Sequence, residues 1–519
     1  MKLKHLAFAV AAMSAGFAAQ AAGTVNIGGV AHNVVYLSGA SAPDNFLADI
    51  AEGMMTGVTH YTASNYKAFA GSANGIPGVA NGTKVLFIKR SAGGSAFGVG
   101  PVARAQRVKT IDVNNCTSGA GTKASPFSCA IVGTDPGEVG HELTTNAGLV
   151  PDLGVSDVEP ALFLEPFNTE NDTAALSSAE TARLSATPIN QLMMGLVATK
   201  TVPASTYLSR STYGAMLSNQ IQTWDQVDPS LSGDVVVCRR VEGSGTQTSY
   251  NWFFNNFPCA VQENGFTEPA RMTDSYGWKE SGSGTAADPY IINPAAGYTV
   301  IENSSSGNVR SCLQAADNGT DYTFTSWDPE EQKNNTFKVT FSESGPVKAI
   351  GVLSLDSYTS STATGDFSFR HLDGAGEYLY DAATKTLSSS AGATGIAPSK
   401  ANLIAGKYDF VVELSMQNRN VAVSNEQGDN VPAIAGVQSA FAAEFAKRAG
   451  SPQFTGNFEN TGTQVSTPEA FASLPQFWAG LTNGSGSDVN GSGVRFADLY
   501  VSKFTRTANT CSPLKYVGN

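Results

Sequence analysis

Arg240-Val241-Glu242-Gly243-Ser244-Gly245-Thr246 is a turn between two runs of different character. Before it, Asp234-Val235-Val236-Val237-Cys238-Arg239 is apolar and β-branched, which predicts a strand. After it, Gln247-Thr248-Ser249-Tyr250-Asn251-Trp252-Phe253-Phe254 can wind into a helix with Ser244 or Thr246 as its N-cap. A helix start carries backbone N–H groups without intrahelical partners and the positive end of the peptide dipole. Ser244 and Thr246 add hydroxyl donors. Arg240 adds a planar fork suited to a tetrahedral anion. Together these features form a cradle for an oxyanion at the end of a strand. As a turn and cap the same residues need no ligand, and Gly-Ser-Gly alone says little in a chain of 53 glycines. The other loops have to decide between the two readings.

The N-terminus has the form of a secretory leader, with Lys2, Lys4 and His5, then an apolar stretch from Leu6 to Phe17, then Ala19-Gln20-Ala21. Residues 1–21 are therefore expected to be removed. The apolar stretch is too short to span a bilayer, and no cysteine stands at the cleavage point to take a lipid. A periplasmic or secreted, soluble protein is expected. The formal charge of −12 becomes −14 once the two leader lysines are gone. Such a chain is a poor partner for nucleic acid or an anionic membrane. Nearby donors can still hold a small anion, because physiological salt screens charges beyond about 8 Å.

Six cysteines follow the leader: Cys116, Cys129, Cys238, Cys259, Cys312 and Cys511. An even number in an exported chain favours disulfides over metal ligation. Spacing suggests Cys116–Cys129 and Cys238–Cys259 as local loops, which leaves Cys312–Cys511. No Cys-x-x-Cys occurs, and His141-Glu142 lacks the second histidine of a zincin. Neither a metal nor a cofactor is expected.

About 500 residues are too many for one core, so at least two lobes are expected. Val34 to Tyr36 reads as a strand leading into Leu37-Ser38-Gly39-Ala40-Ser41-Ala42-Pro43, and Asn45 to Met54 has helical spacing. Val85-Leu86-Phe87-Ile88 is a second strand, ending in Arg90-Ser91-Ala92-Gly93-Gly94-Ser95-Ala96-Phe97-Gly98. Val150 to Asp157 gives a third. Strands alternating with helices indicate an α/β sheet, in which ligands sit beyond the carboxyl ends of the strands. Residues 110–148 and 258–345 are polar and read as insertions. Residues 385–398 and 480–494 read as Ser/Gly/Ala loops, and Val431 to Ala449 as an amphipathic helix.

Four of these segments, in order, resemble the phosphate-binding proteins of bacterial ABC transporters (PstS-like, in the type II periplasmic binding protein group). Gly39-Ala40-Ser41-Ala42 is similar to that family's first Gly-Ala-Thr-Phe loop, and Ser91 to Gly98 to its second, Gly/Ser-rich loop. Asp152-Leu153-Gly154-Val155-Ser156-Asp157 is similar to Asp-Phe-Gly-Ala-Ser-Asp. Arg240 to Thr246 is similar to Arg-x-Asp-Gly-Ser-Gly-Thr. Fainter likenesses cover Leu208 to Val227, Ala349-Ile350-Gly351-Val352, and Gly406-Lys407-Tyr408-Asp409-Phe410 as a late strand re-entering the first lobe.

The resemblance implies a two-lobed α/β fold with β-rich insertions. Lobe one would comprise about 22–185 (insertion 110–148) plus 396–519, and lobe two about 186–395 (insertion 258–345). It implies a ligand set of Ser41, Ser95, Asp157, Arg240, Ser244, Gly245 and Thr246, with the backbone N–H of Ala42. Asp157 would accept the hydrogen of a protonated phosphate and reject sulfate, which has none to give. Glu242 stands where the family has Asp and could pair with Arg240. Ala42 replaces the family's usual aromatic residue, and Ser95 competes in register with Ser91 and Gly94. The expected partners are inorganic phosphate and an ABC permease, and the expected state is a monomer without enzymatic activity. Two alternatives use the same scaffold, a phosphate-ester hydrolase and a secreted surface or matrix protein. Ser244 lacks the Gly-x-Ser-x-Gly elbow of a hydrolase nucleophile, while Trp224 and Trp252 read as core.

Overall fold

A computed structural model describes residues 23–169, 175–260, 265–456, 463–475 and 497–517. The leader and its cleavage point lie outside the described residues, as does the 480–494 loop.

Eight strands carry the architecture: β1 (Val30–Gly39), β2 (Lys84–Arg90), β3 (Leu153–Ser156), β4 (Leu184–Thr199), β5 (Val236–Arg240), β6 (Thr299–Asn303), β7 (Ala349–Ser354) and β8 (Val411–Arg419). Four helices matter with them: α1 (Asp44–Glu52), α2 (Gly245–Asn255), α3 (Ser306–Asn318) and α4 (Gly436–Gly450). Parallel β2, β1 and β3 form the centre of one sheet, which β8 and the first half of β4 continue antiparallel. Parallel β6, β5 and β7 form a second sheet, in which β7 pairs with the last residues of β4. The protein is thus a two-lobed α/β fold whose sheets share one strand. Along β4 the change of partner falls between Met193, opposite Val411, and Met194, opposite Ser354.

Both sheets are parallel at their centres, so strand burial on two faces selects near-continuous apolar runs. Val35, Leu37, Phe87, Val236, Val237 and Ile350 are all within 1% of full burial. Helix α1 buries Phe46, Leu47 and Ile50. Helix α4 stacks Phe441 and Phe445 on Phe87 at centroid distances of 5.6 and 5.8 Å. Helix α3 buries Val309, Cys312 and Leu313.

Several expectations change. Segment 258–345 does contain a small separate sheet (Tyr290–Ile292, Lys333–Val339, Tyr322–Asp328). It also supplies β6 and α3, which belong to the second lobe's core, so it is not wholly an addition. Its polar composition hid a five-residue buried strand. The 110–148 segment forms a hairpin, Thr110–Ser118 with Phe127–Val132, closed by Cys116–Cys129. Residues 385–398 include the strand Thr386–Ser389. Helix α4 starts at Gly436, because Pro432 disfavours helix at the residue before it and Val431 pairs with Val423 instead. The late strand expected at 406–410 begins at Val411.

Two spacing-based disulfides are also replaced. Cys238 bonds Cys312, and Cys259 bonds Cys511, with Cα separations of 6.0 and 5.2 Å. Cys238 is buried in mid-strand against α3, whose inner face presents Cys312. Helix α2 carries Cys259 away to the far end of its own length. Cys511 reaches it on a C-terminal segment anchored to the first lobe, where the carboxylate of Glu413 accepts from the Arg506 N–H (2.8 Å) and that of Glu159 from the Thr510 N–H (2.9 Å).

A candidate anion-binding site between the sheets

The carboxyl ends of the parallel strands face each other across the two sheets, and each ends in a hydroxyl- or glycine-rich loop. After β5 the chain turns through Gly243, whose φ of 79° suits glycine, and enters α2 with Ser244 as N-cap. The Ser244 Oγ accepts from the Gln247 N–H at 3.3 Å. Of the two N-cap candidates, Ser244 is therefore the one used. Tyr250, one helical turn on, fixes the Arg240 backbone: its hydroxyl accepts from the Arg240 N–H (3.2 Å) and donates to the Arg240 carbonyl (3.1 Å).

The Arg240 guanidinium is 1% exposed. Its Nη1 donates to Ser41 Oγ at 2.8 Å, Nε to the Asn303 carbonyl at 3.1 Å and Nη2 to the Ser304 carbonyl at 2.9 Å. Ser41 Oγ also accepts from the Ser306 N–H at 3.2 Å and lies 3.1 Å from Ser306 Oγ. Ala42 is buried, and its carbonyl accepts from Ser354 at the end of β7 (2.7 Å).

The Ser91–Gly98 loop of the first lobe packs directly on the Arg240–Thr246 loop of the second. A Cβ on Gly94 would come 2.9 Å from Ser244 Cα and 3.1 Å from Arg240 Nη2. The Ala96 N–H donates to the Gly243 carbonyl at 2.9 Å. The register question resolves physically. Ser91 donates to Asp44 (2.6 Å) beside the buried Lys89, whereas Ser95 Oγ accepts from the Asp157 N–H (3.1 Å). Gly245 seats between Ser95 and Asp157, since a Cβ there would stand 2.2 Å from Ser95 Oγ and 2.8 Å from Asp157 Cβ.

Asp157 is the one carboxylate among the residues expected as ligands. Thr246 Oγ1 donates to its Oδ2 at 3.3 Å, while Oδ1 is buried with no hydrogen-bond partner. Burial pushes the carboxyl up to about 7, against the pull of Arg240, the Thr246 hydrogen bond and Lys89. Near neutral pH this group can therefore exist as donor or acceptor.

Ser41, Ala42, Ser95, Asp157, Arg240, Ser244, Gly245 and Thr246 are thus brought into one buried cluster. Glu242 is not part of it. Its carboxylate accepts from Arg271 Nε at 2.9 Å, and the nitrogens of Arg240 are directed to Ser41, Asn303 and Ser304. The expected Glu242–Arg240 pair is therefore replaced by Glu242–Arg271. Burial, with Glu302 nearby, pushes Glu242 up to about 7 despite Arg271.

Asn303, Ser304 and Ser306 are additions that the sequence reading missed. Asn303 ends β6, Ser304 follows it and Ser306 opens α3, with Ser305 as the N-cap accepting from the Asn308 N–H. The signal was present: Thr299-Val300-Ile301-Glu302-Asn303 is apolar and β-branched, and Ser304-Ser305-Ser306-Gly307 repeats the hydroxyl-rich turn of the other loops. It was passed over because the surrounding composition reads as insertion.

Among the described residues, the contacts of the histidines are elsewhere: His32 with the Val30 carbonyl, His60 with Glu52, His141 with Glu426 and His371 with the Thr394 carbonyl. Among the described residues, none of these histidine contacts involves Ser244.

No protein-family model matches the chain. No curated protein matches its sequence. Solved structures do. A phosphate ABC transporter substrate-binding protein from Clostridium perfringens, with bound phosphate, is 13% identical, with 79% of this chain and 92% of that one covered at a TM-score of 0.37. An ABC-type phosphate transport receptor from Vibrio cholerae is 11% identical, with 80% and 93% covered at 0.32. A human phosphate-binding apolipoprotein is 12% identical, with 90% and 98% covered at 0.42. The site described above rests on the geometry of this chain alone.

Proposed function

We propose that this chain binds inorganic phosphate, or a close tetrahedral oxyanion, in the cluster between its two sheets, and does so as an exported solute-binding protein rather than an enzyme. Lobe one would comprise about 22–185 and 396–519, and lobe two about 186–395. The shared strand β4 and the adjoining start of β8 would act as the hinge. The observation that carries the reading is that hydroxyl groups and a guanidinium from both lobes meet in one buried cluster. Arg240, Ser41, Ser95, Ser244 and Thr246 form it, and beside them Asp157 Oδ1 is buried without a hydrogen-bond partner, which a protonated oxyanion would supply. Arg240 supplies charge-assisted bonds, and the α2 N-terminus adds N–H donors and the helix dipole.

Asp157 sets the choice of anion. Once Asp157 is ionised, above about pH 7, phosphate can still give its remaining proton to the carboxylate, whereas sulfate would place acceptor against acceptor. Delivery to an ABC permease is the role in the cell that we propose. Equilibrium dialysis with radiolabelled phosphate tests the binding. Saturable, one-site uptake by the wild type and its loss in Arg240→Met are expected. Absence of uptake by the wild type, or full uptake by the variant, would overturn the proposal.

A further inference from the structure

Beside Ser41 and Ser306 the cleft continues into a cavity of about 180 Å³. Its wall is contributed by both lobes: Asn45 and Lys67 from the first, Gly307, Arg310 and Ser357 from the second. Asp44 and Asp356 also line it. Both carboxylates are already engaged. Asp44 is paired with Lys89 at 3.0 Å and accepts from Ser91, and Asp356 accepts from the Asn45 N–H at 2.9 Å and from the Thr467 hydroxyl.

The two cations are not so engaged. Lys67 Nζ donates to the neutral Asn45 Oδ1 at 3.2 Å, and Arg310 Nη1 to the neutral Ser357 Oγ at 2.9 Å. Among the described residues, neither forms an ion pair with a carboxylate. Both are half-buried and line the same cavity, one from each lobe, in a chain whose formal charge is −12. Cations placed there merely to attract an anion from solution would act equally well on the exposed rim. Lys67 draws the Asp356 carboxyl down against its burial, yet each cation is hydrogen-bonded to a single neutral oxygen and keeps N–H donors that no hydrogen bond among the described residues uses, which an anionic group in the cavity would take up.

We infer that this cavity is a second anionic subsite, so that the preferred ligand is a diphosphate, with one phosphoryl group in the Arg240–Asp157 cluster and the next between Lys67 and Arg310. The inference rests on the proposed oxyanion reading of the first cluster. Ser41 and Ser306 line this cavity, and Ser41 also accepts from Arg240 of the first cluster, which places the two groups next to each other, as a P–O–P linkage requires. The terminal group would also meet the first N–H groups of α3, a thirteen-residue helix capped by Ser305.

Calorimetric titration of the wild type, Lys67→Met and Arg310→Met with phosphate, pyrophosphate and glycerol 3-phosphate separates the possibilities. Wild-type protein is expected to bind pyrophosphate at least about tenfold more tightly than phosphate. Each variant is expected to lose at least about tenfold for pyrophosphate and less than about twofold for phosphate, which also serves as the check on folding. Lys67→Arg is expected to restore the pyrophosphate preference. Phosphate binding without a pyrophosphate preference, equal losses for both ligands, or glycerol 3-phosphate matching pyrophosphate would overturn the diphosphate inference alone. Failure of the wild type to bind either inorganic anion would overturn the first cluster's reading as well.

Discussion

Replacing Asp157 by Asn removes an ionisation while keeping the side chain's shape, and the structure fixes the sign of the outcome. In the folded protein burial lifts the carboxyl from 3.8 to about 7. Between those pH values the folded chain holds a proton that the unfolded chain has lost. Stability therefore falls as pH rises from about 4 to about 7 and levels off above. A shift of about three units corresponds to about 4 kcal/mol, at about 1.4 kcal/mol per unit, which is the ceiling for this group. Asn pays no such penalty. Asp157→Asn is thus expected to exceed the wild type by about 1 kcal/mol at pH 4.5 and by as much as about 4 kcal/mol at pH 8. Asp152 and Asp356, also lifted by burial to about 7, share the trend and cancel in the difference between the two proteins. Urea unfolding of both proteins, without oxyanion, at pH 4.5, 6 and 8 reads that difference. A gap that is absent, or equal at all three pH values, refutes the reasoning.

Other consequences are sharper in position than in size. Arg240→Met removes charge-assisted bonds in a dry site, where truncation costs about 2–5 kcal/mol, and should weaken phosphate binding by about 30-fold or more in calorimetry. Gly245→Ala brings a methyl group to 2.2 Å from Ser95 Oγ. It should abolish phosphate uptake in dialysis while circular dichroism stays near wild type. Cys116→Ala with Cys129→Ala opens a loop of 13-residue separation, which should cost at most about 3 kcal/mol in urea unfolding and leave phosphate affinity unchanged. Glu242→Gln severs the pair with Arg271. It should change phosphate affinity by less than about twofold, because the cluster does not use it.

The parts legible in the sequence were those in which local chemistry and tertiary role coincide. Val235 to Arg239 is a strand wherever it is placed, and Ser244 before an eleven-residue helix is a cap wherever that helix packs. Asp157 was legible for the same reason, as the residue directly after a short apolar strand. Glu242 was misread because its partner, Arg271, is 29 residues away and is brought in by the chain beyond α2. The disulfides failed similarly. Separations of 74 and 252 residues are set by how α3 packs on β5 and where the C-terminal segment ends, neither of which spacing encodes. Ser306 was hidden by composition, since one buried strand inside a long polar stretch changes its average little. Lys67 and Arg310 carry no sequence signal at all; only the packing of the two lobes puts them in one cavity.

Competition calorimetry at pH 8, with phosphate titrated into protein in a large excess of sulfate, tests the central claim most directly. One phosphate bound per chain, with an affinity unaffected by sulfate in wild type and reduced by sulfate in Asp157→Asn, is the expected result. Phosphate displaced by sulfate in the wild type, or no phosphate bound at all, would contradict it.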